Sequence, residues 1–183
     1  MVNFSSKKIK GLIAAVLFFL LSGCTSFQSK SPGFAYSGEP VDRPVRKAKS
    51  GGLEFSWPVK KIKINRGFKP PYRGKKHFGL DLGGGLNTPI LSSHPGVVIY
   101  AGQGYRGYGK VVIVEYDDSW ATLYAHLNRI KVRAGEILGR GQVLGLMGRT
   151  GRSTGVHLHF EIIYKKAPID PLKLLKDPEQ GLD

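Results

Sequence analysis

The chain has 183 residues, 41% of them hydrophobic, which is enough apolar material for one domain with a buried core and excludes a wholly disordered protein. The formal charge of +15 favours a polyanionic neighbour such as nucleic acid, an anionic membrane or an acidic cell-wall polymer, without choosing among them. The single cysteine excludes an internal disulfide and any cysteine-based zinc cluster.

Residues 1–23 have the features of a signal peptide. Lysines near the start precede an unbroken apolar run over residues 11–21. As a helix this run would reach only about 16 Å, against a hydrocarbon core of roughly 30 Å, so it is too short for a comfortable permanent span. It ends in Leu-Ser-Gly before Cys24, which resembles a bacterial lipobox with the lipid attached to the cysteine. An ordinary secretory signal with an incidental cysteine is the alternative.

The following segment predicts a location and a tether. Thr25, rather than Asp, after the lipidated cysteine is compatible with the outer membrane, if the host is Gram-negative. We therefore expect a lipid-anchored protein of the cell envelope, facing the periplasm in such a host. Residues 24–52 are rich in Ser, Gly, Pro, Lys and Arg without an apolar period, which predicts a flexible linker after the lipidated residue.

Residues 53–172 predict an all-β domain, followed by a C-terminal tail at 173–183. Short runs rich in Val, Ile, Tyr and Thr are separated by Gly and Pro turn signals. The predicted strands are 62–65, 89–91, 96–101, 110–116, 121–126, 142–147 and 157–164. The glycine-rich stretch 104–109 lacks the Lys-Ser/Thr pair and the helix of a phosphate loop, so a hairpin or groove-edge loop is expected there. Residues 171–175 predict one or two closing helical turns.

Four of the five histidines fall within three short motifs. In the last predicted strand, His157 and His159 lie on one face because side chains alternate, while Leu158 and Phe160 point into the core. A metal can use two such imidazoles, whereas a polar, solvated strand face is the alternative for this motif taken alone.

Two upstream motifs supply further donors. Zinc takes imidazole nitrogen and carboxylate oxygen at about 2.0–2.2 Å, and catalytic sites typically keep three protein ligands with one open position. His77, Asp81 and His159 would supply such a set. Glycines in and after the first motif disfavour a helix, so we expect a loop or strand entry that curves around the metal. His126 and His157 would flank the open position, where an imidazole can take a proton from water or stabilise a developing oxyanion.

These motifs carry a resemblance to a known family. His-x-x-x-Asp, Tyr-Ala-His-Leu and His-Leu-His-Phe, in this order, resemble the LytM/lysostaphin-type zinc metallopeptidases, which cleave peptidoglycan cross-bridges. Segments within 87–98 and 141–151 are also similar to the family's first core hairpin and to its run into the last motif. The resemblance covers roughly residues 53–172.

The resemblance implies an antiparallel β-sheet fold with one Zn²⁺ in a groove. In this chain it implies zinc binding by His77, Asp81 and His159, and catalytic assistance by His126 and His157. The expected protein is a lipid-anchored zinc metalloendopeptidase that hydrolyses peptidoglycan cross-links, the D-alanyl–diaminopimelate bond in a Gram-negative host. The alternative is a non-catalytic activator of cell-wall amidases in cell separation, since some relatives have lost ligands.

The expected partners follow from the predicted location in the cell envelope. They are the peptidoglycan substrate, a membrane through the lipid on Cys24, and anionic envelope polymers or cell-division amidases. Nucleic acid is not expected, because an export signal removes it and no recognised nucleic-acid motif accompanies the charge.

Five further residues complete the set of candidates. His94 is expected to be a surface turn residue. Tyr124 could line the groove or pack in the core, and Asn65 and Arg66 could reach the metal or the substrate. Glu161 shares the strand face of the last two histidines, so it could orient a ligand as a hydrogen-bond acceptor or meet solvent.

Overall fold

The computed structural model describes residues 52–72 and 75–175, and for residues 70–72 and 75 the description covers the backbone alone. The predicted signal peptide, the lipidation site at Cys24, the linker up to residue 51 and the tail from 176 lie outside the described residues. Within the described part of the chain, no helix is long and apolar enough to cross a bilayer.

The described residues are almost entirely β-structure. The strands are β1 (Ile64–Arg66), β2 (Lys69–Tyr72), β3 (Lys75–His77), β4 (Leu80–Gly83), β5 (Pro89–Leu91), β6 (Gly96–Gly102), β7 (Lys110–Glu115), β8 (Trp120–Ile130), β9 (Ile137–Leu138), β10 (Val143–Met147), β11 (His157–Tyr164) and β12 (Ala167–Ile169). A short 3₁₀ helix, Pro171–Lys173, closes the domain, and the Asp170 side chain caps it by accepting from the Leu172 amide.

Ten of these strands form one sheet, in which the main path runs β1-β4-β11-β8-β7-β6-β9. Strand β10 pairs with both β5 and β8, β12 pairs with β11, and β2 and β3 form a separate two-stranded sheet. Every strand pairing in these sheets is antiparallel. The predicted all-β antiparallel fold is therefore confirmed.

All seven predicted strands are present, and those at 89–91 and 157–164 have the predicted bounds. Strands β2, β3, β4, β9 and β12 were not predicted. Each has only two to four residues, so no period of two can be read from it. His77 and Asp81, expected on a loop or strand entry, lie at the end of β3 and within β4.

Alternation along the central strands separates the core from the site. Leu158, Phe160 and Ile162 of β11 are fully buried in the hydrophobic core, as are Leu80 and Leu82 of β4. The residues between them, on both strands, point to the opposite face of the sheet. Two neighbouring strands thus place their polar side chains on one face of the sheet, while their apolar side chains pack into the core on the other face.

His94 is buried, which makes the prediction of a surface turn residue wrong. Its side chain is fully inaccessible, with Nδ1 2.9 Å from the Pro95 carbonyl and Nε2 3.0 Å from the Thr122 hydroxyl. The ring of Phe55 packs edge-on against it at 5.4 Å, because the segment before β1 folds back over this loop. Burial lowers the pKa of His94 to about 4. His94 is therefore a neutral, hydrogen-bonded core residue.

Candidate metal centre and groove

The register of β4 and β11 brings the first two candidate ligands together. Asp81 and His159 are direct cross-strand partners, and His159 Nδ1 lies 2.8 Å from Asp81 Oδ1. On its other side His159 pairs with Ala125 of β8, whose small side chain leaves room for the imidazole. The sheet itself therefore fixes this pair.

His77 joins the pair from the turn before β4. Its Nε2 lies 2.9 Å from Asp81 Oδ1 and 3.2 Å from His159 Nδ1. Gly79 permits this turn to rest on β11, because a Cβ at that position would lie 2.1 Å from the Phe160 carbonyl oxygen. His77 and Asp81, four residues apart in sequence, are therefore in contact because the residue between them at position 79 is a glycine, which no larger residue can replace.

The donor set fits a metal ion. One ligand atom from each of His77, Asp81 and His159 lies within 4.8 Å of the others. Three donors about 2.0–2.1 Å from a tetrahedral centre are roughly 3.3 Å apart, and the separations of 2.8, 2.9 and 3.2 Å lie within about half an ångström of that edge.

The hydrogen bonds behind the imidazoles strengthen this fit. His77 Nδ1 donates to the Gly67 carbonyl at 2.8 Å, and His159 Nε2 donates to Glu161 Oε1 at 2.9 Å. In the neutral rings the opposite nitrogens then carry lone pairs, and these face each other and the Asp81 carboxylate. Three acceptors that converge in this way fit a cation bound between them.

The pKa values of His159 and Asp81 are also consistent with a site that favours positive charge beside an ionised carboxylate. Burial alone would lower the pKa of His159, but hydrogen bonds to Asp81 and Glu161 raise it to about 9. Burial would raise the pKa of Asp81, yet hydrogen bonds from His159 and His77 hold it well below its usual range. Asp81 is therefore an ionised carboxylate, as a metal ligand must be.

Glu161 and Tyr108 support His159 from behind. Glu161 is buried, as is typical of an acceptor that orients a ligand, and the alternative of a solvent-facing carboxylate is wrong. The Tyr108 hydroxyl donates to the same Oε1 atom at 2.7 Å, and its ring lies 5.6 Å from that of His159. Burial and the adjacent Glu161 charge raise the pKa of Tyr108 far above its ordinary value, so the hydroxyl remains a donor.

His126 reaches the groove because β8 contains a bulge. Tyr124 and Leu127 are both in the core, and three steps of β8 between them face only two steps of β7, from Val112 to Lys110. His126 adopts a left-handed conformation, with φ of 61°, which is uncommon for a residue other than glycine. Strict alternation would have buried its imidazole beside Tyr124, and the bulge turns it to the metal side instead.

The second catalytic candidate, His157, lies beside His126. Their ring centroids are 4.8 Å apart. His126 Nδ1 donates to the Thr150 carbonyl at 2.8 Å, and His157 Nδ1 to the Gly155 carbonyl at 3.0 Å. Each ring therefore keeps Nε2 for the groove, and that of His157 lies 3.6 Å from Asp81 Oδ1. Burial lowers the pKa of His126 to about 4, which leaves the ring neutral.

All five predicted site residues line one open groove of about 860 Å³. Arg66 also lines it, whereas Asn65 packs against Gly83 on the neighbouring strand. Tyr124 is a fully buried core residue whose hydroxyl accepts from the Ser93 amide. The loop before β7, expected at the edge of a groove, contributes Arg106, Gly107 and Tyr108 to the lining.

Tyr108 was not singled out from the sequence. The glycine-rich stretch 104–109 predicts a hairpin or groove-edge loop without assigning a role to any side chain, and the contact between Tyr108 and Glu161 spans 53 residues. The available signal was a tyrosine between glycines immediately before a β-strand, since glycine lets a backbone approach a site closely.

Comparison with known proteins places these motifs in a family. A profile described as Peptidase family M23 matches residues 75–171. The chain is 38% identical over 66% of its length to the lipoprotein NlpD/LppB homologue of Pseudomonas aeruginosa, and covers 39% of that protein. It is 33% identical to the peptidoglycan DD-endopeptidase ShyB of Vibrio cholerae, over 76% of this chain and 30% of the relative. It is 36% identical to the murein hydrolase activator NlpD of Escherichia coli, over 66% of this chain and 31% of the relative. The chain thus spans less than two fifths of each relative's length.

Solved structures agree with the fold. A zinc-containing peptidase from Vibrio cholerae superimposes with a TM-score of 0.59 at 35% identity, over 64% of this chain and 39% of that one. The catalytic domain of lysostaphin from Staphylococcus simulans gives a TM-score of 0.57 at 29% identity, over 61% and 90%.

Proposed function

This chain belongs to peptidase family M23, and from that premise we propose that it is a lipid-anchored zinc metalloendopeptidase that hydrolyses peptide cross-links of peptidoglycan. The observation that carries the proposal is the convergence of five side chains on one groove. His77, Asp81 and His159 form the cluster that fits a metal, and His126 and His157 stand beside it with their Nε2 atoms toward the groove.

In the proposed reaction, His77, Asp81 and His159 would hold a zinc ion, which when bound would act as a Lewis acid and lower the pKa of water for attack on a peptide carbonyl. His126 holds its Nδ1 proton on the Thr150 carbonyl and so presents an Nε2 lone pair that can accept a proton from water. His157, held in the same way by the Gly155 carbonyl, is placed to donate a hydrogen bond to the developing oxyanion once it is protonated. No covalent intermediate with the protein is required.

The substrate and the location are part of the proposal. The relative from Vibrio cholerae is named a peptidoglycan DD-endopeptidase, and the relative from Pseudomonas aeruginosa is named a lipoprotein. The first name agrees with the proposed cleavage of the D-alanyl–diaminopimelate cross-link in the envelope of a Gram-negative cell. The second name agrees with the lipobox at Cys24. The proposed anchor is the lipid on Cys24, with residues 24–52 as the tether.

A second function has support from one relative. The Escherichia coli protein is named a murein hydrolase activator, and an activator of amidases needs a binding surface rather than a metal. Zinc content and amidase stimulation distinguish the two functions. The full chain, purified in non-ionic detergent, is assayed for bound zinc by mass spectrometry and for release of peptides from sacculi, with and without an added amidase. Stoichiometric zinc with release by the chain alone supports the peptidase, whereas release only with the amidase supports the activator.

A further inference from the structure

The groove is bordered by positive charge from both sides. Arg66, Lys69, Lys76, Arg106 and Arg152 line it, and all five are exposed. We call these five residues the cationic rim. None of them forms an ion pair with another residue of the described part of the chain.

The cationic rim comes from two separate parts of the fold. Arg66 lies on β1, next to β4, where it pairs in register with Asp81. Arg106 and Arg152 lie on the loops before β7 and β11, which are joined by a hydrogen bond from the Arg152 amide to the Gly107 carbonyl at 2.8 Å. Because β4, β11 and β8 lie between these parts in the sheet, positive charge flanks the catalytic strands on two sides.

The carboxylates of the groove do not neutralise this rim. Asp81 and Glu161 are its two acidic lining residues, and both are engaged by the imidazole nitrogens of the metal cluster. The exposed carboxylates of the described part, such as those of Asp117 and Asp118, lie outside the lining. A bound zinc ion would add further positive charge, so the balance of charge in the groove favours an anionic occupant.

The occupant also has an apolar component. Phe78 lines the groove and is half-buried, and the Lys76 ammonium lies 5.2 Å from the centre of its ring. An open groove of about 860 Å³, with the Phe78 ring in its lining and cations on both sides of the metal cluster, fits a peptide that carries free carboxylates. It fits a flat membrane surface less well, because the charges border a concave site.

We propose that the cationic rim is a specificity determinant, which selects acidic peptides with free carboxylates on both sides of the scissile bond over uncharged peptides. The inference rests on the proposed peptidase function for its substrate. The contribution of the rim to binding is independent of the chemical step.

The test compares two forms of one ligand. A fluorescent dimer of stem peptides joined by a D-alanyl–diaminopimelate bond is prepared with free carboxylates and with these carboxylates amidated. Binding to full-length, zinc-loaded His126→Ala protein in non-ionic detergent is measured by anisotropy, and cleavage is measured with the unmodified chain. We expect the acid form to bind about tenfold more tightly at low salt, and the preference to shrink at high salt as the charges are screened.

Two rim variants and a matched control locate the effect. Arg106→Gln with Arg152→Gln, and Arg66→Gln with Lys76→Gln, each remove two positive charges at exposed positions and should reduce the preference several-fold. Lys131→Gln with Arg133→Gln removes the same charge outside the groove and should leave the preference unchanged. Equal affinity for the two peptides, or equal effects of rim and control variants, would overturn the proposal.

The remaining outcomes are also decisive. If the rim variants lose binding to phosphatidylglycerol vesicles but keep the preference for the acid peptide, the rim is a membrane surface and the proposal is wrong. If neither peptide is cleaved but the acid form is preferred through the rim, the rim stands as a peptide-binding surface and the peptidase function fails. If both peptides are cleaved and bound equally, the peptidase function stands without the rim.

Discussion

Nε2 of His159 lies 2.9 Å from Oε1 of Glu161, two residues further along the same strand. This contact occupies one imidazole nitrogen and directs the other, Nδ1, to Asp81 and His77. The orientation of a metal-facing ring is therefore set by a buried carboxylate that itself does not reach the metal cluster. The proposed site thus separates residues that bind the metal, residues that orient these ligands and residues that react.

Replacement of Glu161 by Gln should weaken zinc binding while the protein stays folded. A side-chain amide is a poorer acceptor for the His159 N–H, and loss of such an orienting partner typically lowers metal affinity by about 10- to 100-fold. Competition with a chromophoric chelator measures the affinity, and circular dichroism checks the fold. The matched control is Glu136→Gln, which changes an equivalent charge far from the groove. Unchanged affinity in Glu161→Gln would contradict the orienting role.

Tyr108→Phe should have a smaller effect in the same direction. The variant removes only the hydroxyl that donates to Glu161 Oε1 at 2.7 Å, and Glu161 keeps its own contact with His159, so the loss of zinc affinity should stay below about tenfold. Because both residues act through His159, the losses of zinc affinity in Tyr108→Phe and Glu161→Gln should not add in the double variant. Full additivity would show that Tyr108 acts elsewhere.

His126→Ala and His77→Ala should differ in kind. His126 Nδ1 donates to the Thr150 carbonyl, and His126 is not part of the cluster that fits a metal. Its removal should therefore leave the zinc content intact and reduce kcat by about 10²- to 10⁴-fold, the usual range for a general acid or base. His77→Ala removes one of three ligands and should lose the metal itself. Loss of zinc in His126→Ala would assign that residue to the metal and contradict the division of roles.

His94 should make the stability of the domain depend on pH. Its pKa in the folded protein is about 4, against 6.5 for an unperturbed histidine. The unfolded chain binds more protons between these values, so this contribution is complete above pH 6.5 and is lost as the pH falls toward 4. The loss amounts to at most about 3 kcal/mol.

Urea unfolding of the wild type and of His94→Gln at several pH values measures this dependence. The variant is less stable overall, because the site is closely packed, but its free energy of unfolding should fall less between pH 6.5 and 4. Parallel curves for the two proteins would show that other groups account for the acid sensitivity.

The fold class and the grouping of the five candidate residues at one groove could be predicted from the sequence, because both depend on local signals, and the roles of these residues remain predictions. Alternation in the last motif separates His157 and His159 from Leu158 and Phe160, and the structure preserves that division. Strand β4, which carries Asp81, was missed because its four residues, Leu-Asp-Leu-Gly, are too few for alternation to distinguish a strand from a loop beside glycines.

The failures concern contacts between distant parts of the chain. Ser-Ser-His-Pro reads locally as a polar turn, and His94 is buried because Phe55, 39 positions earlier, covers it. In the same way, nothing near Tyr108 in sequence indicates that Glu161 accepts a hydrogen bond from its hydroxyl. Such pairings are set by the sheet register and by packing rather than by local propensity.

The proposed activity is cleavage of peptidoglycan by the chain itself. The most direct measurement is the digestion of purified sacculi by the full chain in non-ionic detergent, with products resolved by mass spectrometry, with a chelator, after addition of zinc, and with His126→Ala. The account predicts loss of cross-linked muropeptides, which stops with the chelator, returns with zinc and is absent in the variant. Zinc-loaded, folded protein that releases no peptide from sacculi would contradict it.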